Sequence, residues 1–178
     1  MSIEWLLIRG SGLVAYGLLA AAMGWGLFLS MKARPRAVKS LTSVHEALSV
    51  GALISTLVHM VVLWQHDFVD FTIEEVLVPG VSDWRPVAVA WGVLAFYGMV
   101  VVIASFYLRS RISQRYWRLL HFGSYGVFIA GLVHGLLAGT DTSNPIVMAF
   151  YVVTFGGVLV LLAMRAAREA GADEPVAE

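Results

Sequence analysis

The sequence predicts an all-α integral membrane bundle of five transmembrane helices, with a short amphipathic helix at the outer interface. Two observations carry this. Of 178 residues, 59% are apolar and only 13% charged, whereas a soluble domain carries about a quarter. The charges also cluster, leaving five uncharged windows at residues 10–31, 47–65, 86–108, 119–140 and 142–164. Each is near the roughly 20 residues that cross a bilayer. Twelve basic and twelve acidic residues cancel, so net charge says nothing about nucleic acid. Cysteine is absent, which excludes disulfides, iron–sulfur clusters and thiolate-held metals.

The first window could pass for a secretory leader, since Ala20-Ala21-Ala22 resembles a small-residue cleavage site. Glu4 and Arg9 precede it in place of a basic cluster, and the apolar run is long, so a retained helix is expected. Loop charge then sets the orientation. Lys32, Arg34, Arg36 and Lys39 follow the first window, Arg109, Arg111, Arg115 and Arg118 the third, and Arg165 and Arg168 the fifth. The other loops hold Asp67, Asp70, Glu74, Glu75, Asp83 and Asp141, with Arg85 and no lysine. By the positive-inside rule, the expected topology is a multi-pass cell-membrane protein with its amino terminus outside and its carboxyl terminus cytoplasmic.

Between Asp67 and Arg85, the apolar Phe68, Phe71, Ile73, Val76 and Leu77 are interspersed with acidic residues until Pro79-Gly80 stops the run. This pattern predicts the outer interfacial helix. Residues 169–178 are small and acidic, which fits a frayed cytoplasmic tail after a single domain at 1–168. No repeat is evident beyond the pairing of two histidine-bearing windows.

That pairing is the informative feature. His45 and His59 bracket the second window, His121 and His134 the fourth. Fourteen residues span roughly 21 Å of helix and return the second side chain to within about 40° of the first. The expected topology makes the two helices parallel, so His45 is level with His121 and His59 with His134. An ionisable group within a membrane helix is costly and points to function, and a neutral imidazole can ligate a metal through one ring nitrogen. A lone histidine would more simply be a helix–helix hydrogen-bond partner. Four in two level pairs instead predict two axially ligated haems, stacked across the membrane. The small residues Ser49, Gly51, Ala52 and Ser55, with Gly123, Gly126, Gly131 and Gly135, would leave room for a flat macrocycle or simply allow close packing. One detail resists. Thirteen steps, from His121 to His134, leave the second ring about 140° from the first on an ideal helix. A bent or bulged fourth helix, or laterally offset haems, would reconcile this.

His66 and Arg85 are expected as contacts to a haem propionate or to an acceptor site, or as interfacial polar residues. No carboxylate falls inside a window, Glu46 being at an edge beside His45, which argues against a proton pump or cation transporter.

The histidine spacing resembles the ferric-reductase-like transmembrane domain, shared by NADPH oxidases, ferric reductases and the haem membrane subunit of the bacterial methionine sulfoxide reductase system. Leu77-Val78-Pro79, Trp84-Arg85-Pro86, the run Tyr116 to His121 and the run His134 to Asp141 add to the likeness, which covers roughly residues 23–164. The resemblance implies that His45 and His121 bind the cytoplasmic-side haem, and His59 and His134 the outer one. Oxidases and eukaryotic reductases of that family carry a further amino-terminal helix and a cytoplasmic flavin and nicotinamide domain. This chain stops shortly after Arg168, so its electrons are expected from a separate flavoprotein reductase, carrying the flavin, or from a quinol. The expected function is electron transfer through two non-covalent, bis-histidine haems b to an extracytoplasmic acceptor, an oxidoreductase-type role without its own flavin domain. A quinol-linked haem subunit feeding an extracytoplasmic oxidoreductase is the nearer rival. A haem-free, histidine-lined metal or proton transporter is the farther one.

Overall fold

The computed structural model describes residues 3–31, 38–66 and 70–172, and its regular structure is helical throughout. The helices are α1 Ile3–Ser30, α2 Val38–Trp64, α3 Ile73–Leu77, α4 Pro86–Tyr107, α5 Gln114–Ala138 and α6 Pro145–Ala172. All but α3 are long and apolar enough to cross a membrane. The five expected spans are therefore present, and four of them run well beyond their uncharged windows. An uncharged window marks only the hydrocarbon depth. A helix can continue through the headgroup layer, where charged side chains are solvated, so Glu4 and Arg9 lie inside α1 and Arg115 and Arg118 inside α5. Lys32, Arg34, Arg36, Asp67, Phe68 and residues 173–178 lie outside the described residues. Helix α6 runs on to Ala172, through the start of the stretch expected to fray.

Local signals fix several helix starts. Pro86 opens α4, where its missing N–H has no helical acceptor to lose, and Arg85 before it takes a left-handed φ of 44°. Ser113 caps α5 by accepting the Tyr116 N–H.

Helix α1 packs against α2, α5 and α6, while α4 packs against α5 and α2. The buried core is a thin seam of Tyr16, Leu27, Phe128, Tyr151 and Val158, with a second group at Ala52, Met99 and Val127. Large apolar side chains otherwise point outward: Ile146 is 78% and Val153 71% exposed. In water such a surface would aggregate; in a bilayer it meets its own kind. Helices α2 and α5 are not among the pairs in close backbone contact. They run in the same sense on either side of an interior space, as the topology required.

The amphipathic helix expected at the outer interface is shorter than the segment 68–77 expected for it, only Ile73–Leu77. Phe71 is buried just ahead of it, packed with Val89 and Val93 of α4, while Ile73 and Leu77 remain exposed. Thr72 and Glu75 form a capping box. The Glu75 carboxylate also accepts the Asp83 N–H at 2.9 Å, closing the loop on itself. These backbone N–H groups, Thr72 foremost and then Asp83, hold Glu75 below its ordinary value of 4.5. A lowered carboxylate contributes stability above its unfolded value and loses it as pH falls through the folded one. Acidification below about pH 4.5 should therefore loosen this loop before the bundle opens. Trp84 fluorescence should report the change, and Glu75→Gln should abolish its pH dependence.

Candidate metal centres

Both histidine pairs meet. The ring centres of His45 and His121 lie 6.2 Å apart with planes crossed at 71°. Those of His59 and His134 lie 6.3 Å apart, crossed at 77°. An imidazole nitrogen sits about 2.0 Å from a bound first-row metal and roughly 1.2 Å from its own ring centre. Two imidazoles on opposite sides of one metal therefore have centres about 6.4 Å apart. Both pairs stand at that separation.

Three of the rings are held by backbone. Nδ1 of His59 donates to the Ile8 carbonyl at 2.8 Å and Nδ1 of His45 to that of Ala22 at 3.0 Å, both on α1. Nδ1 of His134 donates to the Ala88 carbonyl of α4 at 2.8 Å. A carbonyl can only accept, so the ring proton is on Nδ1, and the Nε2 lone pair is left for a ligand. This is the usual support of a metal-binding histidine: the second ring nitrogen fixes tautomer and orientation.

The sequence explains why those carbonyls are reachable. In a helix, a side chain leans back over the turn before it, covering the carbonyl four residues earlier. Four residues after Ile8, Ala22 and Ala88 stand Gly12, Gly26 and Gly92. A Cβ at Gly12 would lie 3.1 Å from Cε1 of His59, one at Gly26 3.1 Å from Cε1 of His45, and one at Gly92 2.7 Å from Nδ1 of His134. Each glycine thus bares one carbonyl and admits one ring. In the sequence these three are overshadowed by the glycines of the histidine helices themselves. A signal existed: Gly12 and Gly26 are 14 apart, as are His45 and His59. The repeat is therefore larger than a pair of histidine helices; the carbonyl, glycine and histidine pattern occurs twice in hairpin α1–α2 and once in hairpin α4–α5.

The fourth ring differs. Fourteen residues beyond Ala88 and Gly92 stand Val102 and Phe106, and the Val102 carbonyl accepts the Ser105 hydroxyl instead. Nδ1 of His121 is buried and has no protein acceptor among the described residues. The ring instead stacks on Trp117 of its own helix, centres 5.3 Å apart and planes within 16°. Helix α5 is α-helical throughout, so no bulge absorbs the 13-residue spacing. The His121 ring centre still lies 6.2 Å from that of His45, but its Nδ1 makes no hydrogen bond to α4.

Each pair borders a cavity. The His59–His134 cavity is lined largely by apolar groups, including Phe71 and Trp84 at the α3 end, with the ion pair of Arg9 and Asp141 beside them. Gly131, Gly135 and residues 139–142 also line it. The His45–His121 cavity is more polar, with Ser30, Ser49, Ser124, Arg118 and Arg165 in its wall. Leu19 and Met99 line both cavities, so the partition between them is one layer of side chains. Of the other small residues, Ala52 is fully buried in the core and Ser55 donates to the Ser11 carbonyl at 2.9 Å. Gly126 has open space before it, Gly123 lies near Val102 and Gly51 packs on Leu18.

His66 and Arg85 line neither cavity. Nε2 of His66 is 3.9 Å from the Glu4 carboxylate, and its ring is 5.9 Å from that of Trp5. Arg85 donates to the Leu137 carbonyl at 2.7 Å and lies over the Trp84 ring. The cations that do line cavities are Arg9, Arg118 and Arg165. In the sequence Arg9 bears only on the question of a leader; its partner, 132 residues away, is invisible until α1 meets the loop after α5.

No curated protein and no solved structure matches this chain. A family model does, over residues 3–141, which takes in α1 to α5, all four paired histidines and the three glycines beside them. The chain belongs to that family, described as a domain of unknown function, DUF8596.

Proposed function

We propose that each histidine pair holds one haem b through its two Nε2 atoms, and that the chain conducts electrons across a membrane. The observation that carries this reading is the ring-centre separation, 6.2 Å and 6.3 Å in two independent pairs. Three Nδ1 atoms committed to carbonyls support it. The donor set argues for a macrocycle. Among the described residues no group of three or more His, Asp or Glu side chains converges, so two imidazoles are all that each site offers. A metal held by so few protein ligands must bring its equatorial ligands with it, as haem does. When bound, the haems supply one-electron redox chemistry. The chain positions them, crosses the ligand planes, and keeps water out with an apolar wall. The cavities beside the two pairs, with Gly12, Gly92 and Gly131 lining one and Gly26 the other, give a flat group room.

The charge pattern supports the direction. Arg109, Arg111, Arg115, Arg118 and Arg168 flank the His45–His121 end, and acidic loops flank the other. By the positive-inside rule the first end is cytoplasmic. Electrons would enter there from a flavoprotein or a quinol, and leave beside His59 and His134 under the α3 loop. Resemblance to the ferric-reductase-like domain favours the same route, with ferric iron, oxygen or a protein as acceptor.

Purified protein should carry two non-covalent haems b per chain by pyridine haemochrome assay. Its reduced bands should be those of low-spin, six-coordinate iron. A stoichiometry near zero in protein made with ample haem would return the histidines to a haem-free transporter.

A further inference from the structure

The two pairs differ in a way that the proposed function does not require. Both rings of the His59–His134 pair donate Nδ1–H to a carbonyl, whereas in the His45–His121 pair only His45 does. Resting on the haem reading, we propose that this makes the sites unequal in potential, the iron between His45 and His121 being the easier to reduce.

The reasoning follows the electron density. A hydrogen bond from Nδ1–H to a carbonyl pushes density into the ring and strengthens Nε2 as a donor. A stronger donor favours the more highly charged, oxidised iron, and so lowers its potential. Two such bonds act at the His59–His134 site, one at the other. Wall charge acts in the same direction. Arg118 lines the His45–His121 cavity and favours the less positive, reduced state there, while Arg165 in the same wall is offset by Glu169, 2.9 Å away. The Arg9 charge in the other cavity is offset by Asp141, against which it is paired. The more apolar wall around His59 and His134 opposes this trend, since burial disfavours the oxidised charge. Its effect is spread over the whole cavity, whereas the hydrogen bonds act on the ligating rings, and the ligand effect prevails.

The cause lies in the sequence. A 14-residue spacing on α2 brings both rings to α1 carbonyls. A 13-residue spacing on α5 brings one ring to α4 and turns the other onto Trp117. Phe106 stands where the pattern would call for glycine. The missing residue on α5 thus becomes a difference between two irons.

Chemical rescue separates this from a general difference between sites. His134→Gly and His121→Gly are each reconstituted with imidazole, or with 1-methylimidazole, which has no N–H to donate. Potentials are read by spectroelectrochemical titration of the full chain. In His134→Gly the methylated ligand should shift the affected haem to a more positive potential than imidazole does. In His121→Gly the two ligands should give the same potential. In the unmodified protein, the wave lost with His121 should be the more positive of two. Equal shifts at both sites, or the opposite order of waves, would overturn the inference while leaving two bis-histidine haems in place. Protein that takes up no haem would overturn the functional reading, and this inference with it.

Discussion

His59→Ala should purify with half the haem of the parent protein and should no longer carry electrons across a membrane. The ring it removes stands 6.3 Å from that of His134, and among the described residues no third histidine or carboxylate joins them. The His45–His121 pair lies beyond the Leu19 and Met99 partition, and its haem should survive with unchanged bands. The haem-to-protein ratio measures the first outcome. Reduction of an impermeant ferric chelate outside vesicles, with a flavin reductase and NADH enclosed, measures the second. His66→Ala is the control, since His66 lines neither cavity; both haems should remain. Loss of a haem in His66→Ala, with none lost in His59→Ala, would move the ligand assignment to His66.

Gly92→Ala should come close to that effect without replacing either histidine. The added methyl would fall 2.7 Å from Nδ1 and 2.8 Å from Cε1 of His134, well inside van der Waals contact. It would also cover the Ala88 carbonyl, so His134 loses its anchor and its position together. Loss of a metal ligand's supporting hydrogen bond alone costs roughly 10–100-fold in affinity, and displacement of the ring adds to it. The His59–His134 haem should therefore be lost selectively on dilution or washing, and the other retained. Gly156→Ala, where a methyl meets open space, should keep both. If Gly92→Ala binds both haems as tightly as the parent, the ring is not held from α4.

Much of this was legible in the sequence. Five spans followed from where charges are missing, because hydrocarbon penalises charge more strongly than any other local rule operates. The level pairing of histidines followed from helical rise and loop charge, and both pairs do meet. The helix ends were less legible, since charged residues such as Arg9 and Arg115 continue a helix once it has left the hydrocarbon. The supports of the rings were least legible. Ile8, Ala22 and Ala88 act through backbone carbonyls, which carry no residue-type signal, and only the glycine four places on betrays them. The 13-residue interval on α5 was a visible anomaly. Its resolution lies in a stack with Trp117, a contact one helical turn away that could as well have been core packing.

Helix α1 also acts as a ruler. Its two ring-bearing marks, Ile8 with Gly12 and Ala22 with Gly26, are 14 residues apart, close to four turns or about 21 Å. A single residue inserted between them would rotate one mark by about 100° relative to the other. Only one of the two α2 histidines could then be served. The interval between the sites thus comes in near-whole helical turns, and cannot be tuned by small increments. A step of one turn fewer would crowd the two cavities into the single side-chain layer of Leu19 and Met99, and one turn more would lengthen the gap between the two histidine pairs. Drift in the length of this helix by one or two residues is therefore closed to the protein, and any adjustment of the interval has to come from the groups between the marks.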